Sequence, residues 1–135
     1  MSKNVIVQIP VELDDEFFDD IICTMFEGGS NYWIGKTQII HPDGEKPKGM
    51  PVSAWIASAI NKDGMIKILP QDDNVTVVLN KKRLVFGLKE WITKCPDKVS
   101  LINENGKNCI DAGNVDADDA DAILQYALFE ELVFG

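Results

Sequence analysis

Four carboxylates crowd one short segment near the end of the chain, Asp116-Ala117-Asp118-Asp119-Ala120-Asp121. Carboxylate oxygens are the ligands that hard cations such as calcium and magnesium take. Placed on the spacing of a calcium loop, Gly113, Val115, Asp116 and Asp119 leave Asn108, Ile110 and Ala112 at the first three side-chain ligand positions. Two of those three offer no oxygen, so the segment reads better as a helix start. Asp116 or Asp118 then serves as N-cap, with the other acids in the first turn, where the helix dipole favours negative charge.

A second segment with the makings of a contact surface is Glu27-Gly28-Gly29-Ser30-Asn31-Tyr32-Trp33, which mixes glycines, polar side chains and two aromatics. It is no phosphate loop, because its glycines follow a helix, where the dipole repels anions. The bland alternative, a helix cap followed by aromatics returning to the core, is favoured for this loop. Nucleophilic catalysis is not expected. His41 is the sole histidine, it stands before Pro42 in a turn, and such a histidine is expected to be merely solvated. Asp19 and Asp20 are adjacent on a helix and point in different directions, which does not make an acid and base pair. Lys81-Lys82-Arg83 is the only basic run and lies where a helix begins, against the dipole; it reads as a charged hairpin edge.

Composition narrows the classes further. The 135 residues carry a net charge of −9, unevenly placed. Residues 1–27 hold seven acids and one base, residues 28–107 eight acids and twelve bases, and residues 108–135 seven acids and no base. With a single arginine, direct nucleic-acid binding is not expected, since it needs a basic face. An acidic surface favours a partner with a basic one. Cys23, Cys95 and Cys109 are odd in number and widely spaced, as free thiols of a reducing compartment are, and no paired spacing suggests zinc. Without a long apolar run or a signal-like start, the expectation is a cytoplasmic chain that needs neither membrane nor cofactor.

The elements that must position these residues follow from periodicity. Val5, Val7 and Ile9 alternate with polar neighbours up to Pro10, which predicts a strand over 4–9. Phe17, Phe18, Ile21, Ile22, Met25 and Phe26 line one face of a helix that glycine in a left-handed cap ends at about 27. Strands are expected over 32–40, 65–69 and 75–79, the last two as a hairpin. A short helix capped by Ser53 carries Trp55, Ile56, Ala59 and Ile60 inward, and a third, capped by Asn80, runs to Cys95-Pro96. Gly87 inside that third helix marks close approach of another backbone. Residues 97–115 give few cues beyond a turn at Glu104-Asn105-Gly106, and a last helix runs from the aspartates through Leu132.

The blocks Thr24–Trp33, Leu84–Leu88 and Asp116–Phe129 together resemble a family of small proteins from phages, prophages and mobile elements, a likeness that covers most of the chain. The resemblance implies an intracellular accessory protein of a class that binds and modulates host factors; it carries no site and no chemistry. The expected whole is a single domain over 1–135, of α+β class. A small, mostly antiparallel sheet of about four short strands packs against three to four helices. The expected function is a non-enzymatic interaction module that offers a host or phage protein an acidic face. Asp19, Asp20, Glu27, Tyr32, Trp33, Asp118 and Asp121 are its candidate residues. The alternative is a divalent-cation or small-ligand module using the C-terminal aspartates.

Overall fold

A computed structural model describes residues 3–135. The α+β expectation holds, with four α-helices and five short antiparallel strands in two small sheets. Helix α1 (Asp15–Thr24) begins where Asp14 caps it, the carboxylate accepting from the Phe17 amide at 2.9 Å. Phe17, Phe18, Ile21 and Ile22 turn inward. The helix does not end on a left-handed glycine. It widens into a π-type turn, Met25–Gly29, in which Gly28 is extended (φ 178°). A Cβ on Gly29 would lie 2.8 Å from the Ala117 carbonyl oxygen, so this glycine serves a close backbone approach.

Strand β1 (Ile34–Ile40) pairs antiparallel with β2 (Met65–Pro70), from Ile34 opposite Pro70 to Ile40 opposite Met65, with a bulge at Gly35. Between them lies α2 (Val52–Asn61). It opens at Pro51, not on a Ser53 cap: Ser53 sits inside the first turn and donates to Glu27 Oε1 at 2.6 Å. β2 continues the sheet to β3 (Val77–Leu79) as the expected hairpin. Period-two burial places Ile66 and Ile68 in the core and leaves Met65, Lys67 and Leu69 on the open face.

Helix α3 (Lys81–Lys94) starts at Asn80, whose side chain accepts from the Arg83 amide at 2.9 Å. It packs against α4 (Ala117–Phe129), which Asp116 caps by accepting from the Asp119 amide at 2.8 Å. α4 stops at Phe129 because Glu130 turns left-handed (φ 64°), so Leu132 lies outside it and is exposed. Between the two helices runs a hairpin without a sequence forecast, β4 (Leu101–Glu104) and β5 (Lys107–Ile110). Its turn, Asn105-Gly106, has φ values of 53° and 80°, the two left-handed positions of a tight hairpin turn.

One core joins all of this: α1, α2, the inner face of the larger sheet, α3 and α4 share a continuous buried cluster. Trp91 is fully buried, and its Nε1 has no acceptor among the described residues. The expected strand over 4–9 does not form. Alternation encodes which faces a strand would present, but a strand also needs a neighbour to bond, and none reaches this segment. Among the described residues the first backbone bond is Glu12 N–H to the Asn108 carbonyl, 2.9 Å. No helix among the described residues is long and apolar enough to cross a membrane.

Candidate functional site

The apolar face of α1 is committed to the core, which forces Glu16 and Asp20 outward while Asp14 stands at the helix start. The β4–β5 hairpin rises beside that surface. Between them runs a groove of about 660 Å³. Its walls carry Glu12, Asp14, Glu16 and Asp20 on one side and Glu104 and Asp111 on the other; Phe17, Ile102, Ile110 and Ala112 add apolar lining. Lys107 is the one base, paired with Glu12 at 3.6 Å. Six carboxylates against one lysine, beside low-dielectric apolar walls, make a concentrated negative field.

The candidate residues distribute in three places. Asp20 lines the groove. Asp19 sits on the α2 side of the same helix, where its carboxylate accepts from Asn61 Nδ2 at 2.8 Å; partial burial and the charge of Asp15 raise its pKa. Glu27 is held by Ser53. The other four gather around α4. Asp121 is 8% exposed and accepts from Ser30 Oγ (2.8 Å), Trp33 Nε1 (2.7 Å), Tyr32 Oη (2.6 Å) and Gln125 Nε2 (3.0 Å). Trp33 is 2% exposed and stacks on Phe134 with ring centres 4.8 Å apart. These two residues are interior, so Asp121 and Trp33 fasten the glycine-rich loop to α4 and present no contact surface. Asp118 is exposed nearby. The two acidic arms of the chain therefore share the groove through Asp111, while Asp118 and Asp121 stand apart from it.

Tyr32 lies at the rim of this hub, half exposed, with its hydroxyl on Asp121. Loss of hydration, then the bond to Asp121 and that residue's charge, push its pKa up to about 12. A tyrosine in the unfolded chain ionises near about 10. The stabilisation from the neutral hydroxyl is thus intact below about pH 10 and disappears as pH climbs towards 12. Chemical denaturation at stepped alkaline pH is expected to show a steeper loss over that window for the native chain than for Tyr32→Phe; parallel curves would exclude the assignment.

His41 is not the solvated turn residue expected. It is 8% exposed and stacks on Trp55 with ring centres 3.6 Å apart and planes 7° from parallel. Its Nδ1 accepts from the Asp43 amide at 2.9 Å, which places the proton of the neutral ring on Nε2, 2.8 Å from Ser58 Oγ. In that tautomer Nε2 donates to the serine and has no lone pair to take its proton. The pair is a structural link between the turn and α2.

The C-terminal aspartates are engaged as helix chemistry. Asp116 is the cap, and Asp119 is buried beside it with Lys98 Nζ at 3.4 Å. Desolvation, then the charge of Asp116, raise the Asp119 pKa. Among the described residues no three His, Cys, Asp or Glu side chains are grouped to hold an ion. The three cysteines are unpaired. Of the groove's carboxylates sequence reasoning singled out Asp20 and missed Glu104 and the hairpin that carries it. The turn signal Asn105-Gly106 was the one available clue. No family model, no curated protein and no solved structure matches this chain.

Proposed function

We propose that this chain is an accessory protein of a phage or mobile element that works in the host cytoplasm as a non-enzymatic interaction module. Its acidic groove receives a basic segment of a host or phage protein. The observation that carries this reading is the groove itself, where the α1 and hairpin carboxylates converge with one compensating lysine. Convergence matters because like charges held close repel, so a fold tolerates them most readily where a cation relieves them. Apolar lining from Phe17, Ile102 and Ile110 suits the aliphatic stems of lysine or arginine. The net charge of −9 argues against direct nucleic-acid binding. No observation favours the cation-binding alternative over capping.

The triple variant Glu16→Lys, Asp20→Lys, Glu104→Lys tests it without touching the Asp14 cap. Capture of partners from host lysate on the native chain is expected to fall steeply between low and physiological salt, because exposed charges are screened over about 8–10 Å. The triple variant is expected to lose the same partners at least tenfold, while Asp63→Lys, Asp72→Lys retains them. Equal capture by both variants would end the groove reading.

A further inference from the structure

Val5, Ile6, Val7 and Ile9 are 84%, 86%, 79% and 54% exposed, and no hydrogen bond joins residues 4–9 to the rest of the described chain. The segment nevertheless has the chemistry of a strand. It is uncharged from Asn4 to Ile9, rich in β-branched residues, and closed by Pro10. An uncharged branched segment with free amides and carbonyls is a template for pairing with a sheet edge. The fold supplies such an edge elsewhere. Among the described residues β1 has β2 as its only neighbour in the sheet, it is seven residues long, and Gly35–Gln38 are exposed. The other edges are shorter: β3 has three residues and β4 four, while β5 already gives its Asn108 carbonyl to Glu12.

We propose that two copies of this chain exchange N-terminal segments, residues 4–9 of each adding as a strand to the free edge of β1 in the other. A six-residue segment fits a seven-residue edge, and no shorter edge among the described residues can bond it along its length. The exchange is reciprocal, so a two-fold dimer closes with both segments paired and no further edge is recruited. The two-fold repeats the pairing, so two segments and two edges are covered together, towards the roughly 1,600 Å² of a standard specific interface. The exchange is independent of the acidic groove, which lies on the hairpin side of α1.

Sedimentation or light scattering of the full chain at tens of micromolar is expected to give twice the 15.0 kDa chain mass. A variant lacking residues 4–9 is expected to be monomeric and to keep its helical far-ultraviolet dichroism, since the segment contributes nothing to the core. Val7→Pro, which removes a strand amide, is expected to weaken the dimer at least tenfold and serves if the deletion folds poorly. To locate the edge, one copy carries Val7→Cys and a differently tagged copy Gln38→Cys, with the native cysteines replaced by serine. A short bismaleimide is expected to join the two tags. A monomeric full chain overturns the exchange. So does a dimer that survives the deletion, or a Val7→Cys copy whose cross-links bypass Gln38→Cys.

Discussion

Asp121→Ala is expected to lower folding stability by about 2–5 kcal/mol, because buried neutral donors lose the one carboxylate they share. The carboxylate gathers four donors, from Ser30, Tyr32, Trp33 and Gln125. Truncation would leave the Ser30 hydroxyl and the Trp33 indole N–H buried without their acceptor, and each such group costs about 1–3 kcal/mol. The loop would also lose its tether to α4, loosening the contacts of Trp33 with Phe129 and Phe134. Asp121→Asn should fall between, because its amide oxygen can still accept while its NH₂ faces donors. Urea denaturation followed by tryptophan emission tests both steps. A loss below about 1 kcal/mol for alanine would mean that the hub contributes far less than a buried charged network should.

Much of this hub was legible in part. The loop composition singled out Tyr32 and Trp33, and helical spacing placed Asp121 near the start of the last helix, but nothing local joins residues about ninety positions apart. The same limit explains the hairpin. Leu101 to Glu104 is exposed along its length, so no alternation of burial marks it, and the turn dipeptide was its only trace. Two caps were readable because a cap acts over three residues: Asn80 and Asp116 each accept from the amide three positions on, whereas Ser53 lies inside its helix and bonds Glu27 instead. The segment 4–9 shows the converse. Its alternation predicts a strand that does not form, because pairing is a property of two segments and the pattern reports only one.

The close approach that Gly87 signalled sets the last prediction. A Cβ built there would lie 2.4 Å from the Ile123 carbonyl oxygen and 2.6 Å from both the amide nitrogen and the Cβ of Ala127. These are mostly backbone atoms of α4, so no flexible side chain can yield. Alanine in a helix interior gains about 1 kcal/mol over glycine, whereas overpacking costs about 1–3 kcal/mol and more when backbones must separate. Separation of α3 from α4 would also strain the contacts of fully buried Leu84, Trp91, Ile123 and Leu124. Gly87→Ala is therefore expected to destabilise by about 2 kcal/mol or more despite its better helix propensity, and Gly87→Val to prevent folding. Adding Ala127→Gly should restore little, because it removes one Cβ and leaves the Ile123 carbonyl in place. Thermal and urea melts decide the matter by sign alone: a more stable Gly87→Ala would show that propensity outweighs packing and that the two helices cross with room to spare.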